Sequence, residues 1–307
     1  MARPLKNLSE VAVIGGGLTG LCAARHAARL GRLVTLFESS GMYGGQVATV
    51  DHVDGIPVPG AYSGQDLAVA LLEDCRKVGV RVIEAQIDTL DPGERIVLTD
   101  WEGQTYDPEV VIVAAGASLR KLGVPGEEQF NGRGVSRCAS CDGGFYRDMD
   151  VVVVGGGDAA VHEALVLAKT SRTVTMICRS PLKAQREYIN RLDARENVRF
   201  VWDSEVTVVL GEAKVTAVRV RNVVSGAESE IAAAGVFPFI GVVPNTAFLP
   251  AAMRLESGHM ISADPRIIAA GAVRADYGGK AAQAMAEGIG AAEAAHKLLA
   301  GGAKHGG

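Results

Sequence analysis

The sequence predicts an α/β protein of two three-layer domains, each built on a parallel sheet, and three observations predict it. The stretch VAVIGGGLTG at 11–20 is matched by VVVVGGGDAA at 151–160: a short β-branched run, three glycines, then small residues. Each copy leads into a helical pattern, LCAARHAARLG or VHEALVLAKT. Each of those is followed by a second β-type run, LVTLFE at 33–38 or TVTMICR at 173–179. Strand, glycine turn, helix and strand together form a βαβ unit. A chain of 307 residues is long enough for two domains with separate cores.

The first turn places Gly15, Gly17 and Gly20 in G-x-G-x-x-G spacing. The second places Gly155, Gly157 and Ala160 in G-x-G-x-x-A spacing. In such a turn the first glycine permits the bend and the second lets the backbone approach a pyrophosphate. The small third position allows close helix–strand packing, with the helix N-terminus facing the phosphates. Both domains are therefore read as Rossmann-like and dinucleotide-binding. The strand ends separate them. Glu38 lies roughly 20 residues past its first glycine, where a carboxylate accepts hydrogen bonds from both ribose hydroxyls, so the first nucleotide carries no 2′-phosphate. The equivalent position in the second copy is Cys178, followed by Arg179. With no acid to repel a 2′-phosphate and a guanidinium to hold one, NADP is favoured over NAD; the alternative is that Arg179 is a solvated strand-end charge.

Between the strand-like VVIVAAG at 110–116 and the second turn lies RCASCDGGFY, with Cys138 and Cys141 three positions apart and Asp142 behind them. A structural zinc site needs four ligands, and Cys22, Cys75, Cys178 and the six histidines are scattered, so no metal is expected. A structural disulfide is disfavoured because so short a ring removes little chain entropy. What remains is thiol–disulfide exchange, in which the second thiol resolves a mixed disulfide formed by the first and Asp142 moves protons.

Composition narrows the field further. With 48% hydrophobic and 21% charged residues, the chain reads as globular. A net charge of −4 offers no basic field for nucleic acid or anionic lipid. The N-terminal MARPLKNLSEVAVIGGG lacks a signal-peptide pattern, and no apolar run approaches the roughly 18 residues of a membrane span. The expectation is a cytoplasmic protein that binds neither nucleic acid nor membrane.

On these motifs, together with GGQV at 44–47, GRGVSRCASCDGGFYR at 132–147, GVFPFIGVVPNT at 235–246 and IIAAGAV at 267–273, the chain resembles the low-molecular-weight thioredoxin reductase family. It fits the glutathione reductase branch less well, because GMYGGQVATV has no cysteine and the C-terminal tail no His–Glu pair. The resemblance implies an FAD domain from residues 1–117 and 245–307, with a nicotinamide domain, 118–244, inserted into it and carrying the redox pair. By it, Cys141 faces the flavin, Cys138 exchanges with the partner's disulfide, and Asp142 is the general acid. FAD is expected on Gly15, Gly17, Gly20, Glu38, Gly45, Gln46, Gly116, Gly271, Ala272, Lys280 and Ala281. NADPH is expected on Gly155, Gly157, Asp158, Ala160, Arg179 and Lys183. The partner implied is thioredoxin or a thioredoxin-like protein, the assembly a homodimer, and the inserted domain rotates so that nicotinamide and dithiol alternate at the flavin.

Several positions depart from the family pattern. The usual His-Arg-Arg is Cys178-Arg179-Ser180, with Lys183 as a substitute, which weakens the expectation for NADPH. The usual Gly-Asp is Gly271-Ala272, the following Arg-Gln-Ala is Gly279-Lys280-Ala281, Ala115 replaces a threonine and Gly55 an asparagine. The missing carboxylate removes a charge-assisted hydrogen bond of about 1.5–3 kcal/mol, so FAD is expected to bind about ten- to a hundredfold more weakly unless another group compensates. Asp276 is a candidate to do so, though an ordinary loop acid is the plainer reading; Lys280 is either beside the flavin's pyrimidine edge or simply exposed. Such changes suit three alternatives: a reductase fed by ferredoxin or another flavin, an oxygen-linked dithiol oxidase, or a non-catalytic binding descendant. Cys22 and Cys75 are expected as buried, inert thiols, and His26, His162 and His296 as helical residues without partners.

Overall fold

The computed structural model describes residues 9–51, 53, 56 and 63–302; Gly55 lies outside them. The chain divides into two compact units, Met1–Ser118 with Pro244–Gly307, and Leu119–Val243. The crossings fall one residue from the divisions expected from the resemblance.

The first unit is built on a five-stranded parallel sheet in the order Ile267–Ala269, Val110–Val113, Val11–Ile14, Val34–Glu38, Arg81–Glu84. Val11 is paired with Val34 on one side and Val110 on the other. The central strands read VAVI and VVIV because both faces are buried, leaving no polar alternation. On one face Val11, Val13, Leu36 and Ile112 pack under the helices Leu18–Arg29, Gly64–Lys77 and Ala281–Gly302. On the other, Ala12, Ile14, Val111 and Val113 meet Ile87, Leu98 and Tyr106 of a small antiparallel sheet, Ile87–Asp91, Val97–Asp100 and Thr105–Tyr106.

The second unit repeats the plan. Its parallel sheet runs Val198–Trp202, Thr173–Cys178, Asp150–Val154, Gly235–Pro238. Val151, Val153, Val174 and Met176 pack against Ala160, Val161, Ala164 and Leu165 of the helix Asp158–Leu167. Val152, Val154 and Ile177 pack against Val206, Val209, Val218 and Val220 of the antiparallel strands Ser204–Gly211 and Val215–Asn222, with Glu228–Ala232 completing that sheet. In both units the third layer is therefore an antiparallel meander. Among the described residues no helix is long and apolar enough to cross a membrane.

Candidate active site

In the first unit, Gly15 has φ +105°, and a Cβ there would lie 2.4 Å from the Ala114 carbonyl oxygen. A Cβ on Gly20 would lie 1.8 Å from the Gly15 oxygen, so only glycine lets the helix approach its strand this closely. Gly17 caps the helix with no side-chain partner, so the first amides have no acceptor within the helix. Glu38, at the end of the neighbouring strand, turns back toward this turn: its Oε2 accepts from the Gly16 amide at 2.7 Å, and Oε1 from the amide and hydroxyl of Ser40 at 2.9 and 2.7 Å. Three donors fix the carboxylate beside the glycines.

A cavity of about 840 Å³ opens along this turn, lined wholly by first-unit residues. Gly15, Gly17, Glu38, Gly45, Gln46, Gly116 and Ala272 all line it. Gly45 and Gly116 have φ of +56° and +68°, and the Gln46 side chain donates to the Ala117 carbonyl. The glycine cradle, helix N-terminus and fixed carboxylate suit a pyrophosphate flanked by a ribose, and the volume suits a large ligand.

At the C-terminal side, Gly271 has φ +74° and sits against Thr19, where a Cβ would be 2.6 Å from Oγ1. Its amide donates to Glu287 Oε2 at 2.7 Å, a partner 16 residues away. Ala272 brings no charge to the cavity. Asp276 is held by Arg274 at 2.7 and 3.1 Å, which keeps its carboxyl below the usual range. With its side chain 72% exposed and off the cavity wall, Asp276 is an ordinary loop acid. Lys280 and Ala281 do not line the cavity either; Ala281 packs on Leu18, Cys22 and Ala284, while Tyr277 and Ala284 reach the wall.

Asn245 is a lining residue that sequence reasoning missed. It accepts from the Ser118 hydroxyl at 2.7 Å and donates to the Ala115 carbonyl at 2.9 Å, fixing the loop that carries Gly116. Its signal was the PNT that ends GVFPFIGVVPNT, a loop polar residue after a strand-like run.

The second turn has the same backbone. Gly155 has φ +129°, and a Cβ there would be 2.2 Å from the Phe239 oxygen; Gly157 caps its helix with nothing within 4 Å of a built Cβ; Ala160 is fully buried. Asp158 accepts from the Gln185 amide at 2.7 Å and side chain at 3.2 Å, while the Lys183 amide donates to the Gly156 oxygen at 2.8 Å. These bonds tie the 183–185 loop beside the turn. Cys178 is buried and donates to the Gly155 carbonyl at 3.3 Å, and burial pushes its thiol up to about 11. The strand end is thus uncharged, with Arg179 and Lys183 exposed just beyond it.

Cys138 and Cys141 form a disulfide with Cα atoms 5.3 Å apart. Cys138 caps the one-turn helix Ala139–Asp142, its Sγ accepting from the Cys141 amide at 3.0 Å. The Ser136 hydroxyl donates to Asp142 Oδ2 at 2.6 Å and accepts from the Cys138 amide at 3.2 Å, joining the acid to the first cysteine. The buried Glu163 accepts from the Ala139 amide at 2.7 Å. Burial and the nearby Asp142 raise the Tyr146 phenol. Cys141 is exposed, Cys138 and Asp142 half-buried. Ser136 and Glu163 were missed in the sequence; the serine two residues before a C-x-x-C is a weak local signal, the glutamate none.

One bland expectation needs revision, and another stands. The helical histidines have partners: His26 Nε2 lies 2.9 Å from Glu293, His162 Nδ1 3.7 Å from Glu163, and His296 accepts from Arg32 at 3.1 Å. His26 and His296 find their partners because the C-terminal helix packs beside the first, across more than 260 residues, which local pattern does not reveal; His162 meets its own neighbour in sequence. Cys22, Cys75 and Cys178 are free and buried. Desolvation pushes each thiol up to about 11.

The model of the pyridine nucleotide-disulphide oxidoreductase family matches residues 9–296. The chain is 36% identical to the thioredoxin reductase of Treponema pallidum, over 94% of this chain and 97% of that one. It is equally 36% identical to that of Listeria innocua, over 88% and 87%. Among solved structures, Lactococcus lactis thioredoxin reductase superposes with a TM-score of 0.91 at 32% identity, over 95% of this chain and 99% of that one. The chain belongs to the pyridine nucleotide-disulphide oxidoreductase family and is a FAD-dependent disulfide oxidoreductase within it.

Proposed function

We propose that the chain takes electrons from NADPH, passes them through FAD to the Cys138–Cys141 bridge, and reduces a disulfide of thioredoxin or a similar small protein in the cytoplasm. The observation that carries this reading is the bridged C-x-x-C in a one-turn helix, with Asp142 tethered beside it, in the same unit as a second nucleotide turn. The first unit's cavity would hold FAD, with the amides after Gly15 and Gly17 at its pyrophosphate and Glu38 at its adenosine ribose. The second turn would hold the nicotinamide nucleotide, with Gly155, Gly157 and Ala160 at its pyrophosphate and Arg179 and Lys183 at a 2′-phosphate. FAD supplies, when bound, a two-electron relay between nicotinamide and disulfide.

The protein's part is to bind, orient and move protons. Opening the bridge takes two electrons and up to two protons. Asp142 adjoins Cys141 and is held at one carboxylate oxygen by Ser136, which leaves the other free to carry a proton. The more exposed half of the bridge is Cys141 here, and Cys138 is the one assigned to exchange with the partner, so exchange requires the turn to present Cys138. Replacement of Cys141 by serine is expected to abolish thioredoxin reduction while NADPH still bleaches the flavin. Thioredoxin turnover by that variant would overturn the reading. Absence of anaerobic bleaching with NADPH, in a protein whose flavin dithionite reduces, would instead assign another electron donor.

A further inference from the structure

Glu163 has no role in the chemistry above, yet it is 8% exposed and touches the redox turn directly. It lies on Asp158–Leu167, five residues past the start of the helix that follows the second glycine turn. Its Oε2 accepts from the amide of Ala139, itself 1% exposed and the first residue of the one-turn helix. An N-terminal helix amide buried without a partner is costly, so some acceptor is needed there. A neutral amide oxygen would satisfy that donor equally well; a carboxylate adds a charge one peptide from Cys138. Among the described residues the ion-pair contact of Glu163 is His162 Nδ1, 3.7 Å from Oε1. The other titratable groups around the turn are Asp142, Tyr146, and Arg137 with its partner Glu127.

Resting on the reading that the Cys138–Cys141 pair cycles, we propose that Glu163 is a positioning residue whose buried carboxylate holds the redox turn and keeps the reduced pair in its dithiol form. Two electrons and two protons convert the bridge to a dithiol. Two electrons and one proton leave a thiol and a thiolate. A neighbouring carboxylate raises the energy of the thiolate product alone, and so draws the second proton onto the pair. Glu163 thereby restrains attack on the partner's disulfide until that proton is removed.

The test is the pH profile of iodoacetamide alkylation of the reduced full-length protein, read at Cys138 and Cys141 by peptide mass spectrometry. Glu163→Gln keeps an oxygen for the Ala139 amide and removes the charge. Its expected effect is to lower the apparent pKa of the pair by about one unit. At neutral pH that gives about tenfold more thiolate of about threefold lower nucleophilicity, so alkylation should run about threefold faster. A profile that superimposes on that of the unmodified protein would reduce Glu163 to a structural cap and overturn the proposal. If Glu163→Gln does not fold, Glu163→Asp asks the same question by drawing the same charge back from the Ala139 amide, and it should move the profile in the same direction by less; an unmoved profile overturns the proposal equally. Failure of the unmodified dithiol to re-form its bridge in oxidised dithiothreitol would overturn the cycling of the pair and this proposal with it, an outcome visible without any variant.

Discussion

The two glycine turns share a backbone and differ at the end of the next strand. Gly15 and Gly155 both have positive φ and both back onto a carbonyl oxygen, at 2.4 and 2.2 Å from a built Cβ. The first turn faces Glu38, an acid fixed by three donors; the second faces Cys178, a buried neutral thiol, with Arg179 outside it. On the proposed reading, backbone geometry would serve what the two dinucleotides have in common, and the strand-end residue what distinguishes them.

The strongest way to break this comparison is to destroy one turn and spare the other. Gly20→Ala puts a methyl 1.8 Å from backbone, and is expected to cost about 3 kcal/mol in urea unfolding and to release FAD. Gly157→Ala meets nothing within 4 Å, so its stability should stay within about 0.5 kcal/mol. On the proposed reading its methyl would stand where a pyrophosphate approaches, and NADPH affinity should fall on the order of tenfold, about 1.4 kcal/mol. A Gly20→Ala protein that keeps its flavin and its stability would refute the close-packing argument.

At the strand ends the effects fall on binding rather than on stability and should be selective. Glu38→Ala removes a carboxylate placed for the ribose and is expected to weaken FAD ten- to a hundredfold in an apoprotein reconstitution titration, with nicotinamide binding unaltered. Arg179→Ala should raise the KM for NADPH about tenfold and leave that for NADH unchanged, because only the former carries a 2′-phosphate. Equal changes for both nucleotides would remove Arg179 from 2′-phosphate recognition.

The glycines, Glu38, Cys178 and the C-x-x-C-D were legible in the sequence because each depends on spacing within one βαβ unit or one turn. Ser136, Glu163, Asn245 and Glu287 were not legible in the same way. Three of them make their decisive bonds across 24, 127 and 16 residues, and local pattern carries no record of such contacts. The antiparallel third layers were also missed, because strands such as IDTLD and TY are too short and too mixed to show a period. Lys280 and Ala281 were carried over from a motif whose first residue, Gly279, has changed, and neither reaches the cavity wall.

A further prediction, read across pH, concerns the buried thiols. Burial raises Cys22, Cys75 and Cys178 from about 9 to about 11, so the fold holds their protons more tightly than the unfolded chain does. Their contribution to stability is complete below pH 9 and is lost as pH rises toward 11. The thermal midpoint should therefore fall across that window, and less steeply once the three are replaced by alanine. An unchanged slope would show that their ionisation is not linked to folding.

The central claim is that the flavin and the Cys138–Cys141 pair exchange electrons. Anaerobic reductive titration of the flavin, in unmodified protein and in the Cys138→Ser, Cys141→Ser double variant, tests it most directly. The unmodified protein should consume twice as much reductant per flavin as the variant, because the bridge takes up a second electron pair. Equal consumption would contradict the claim.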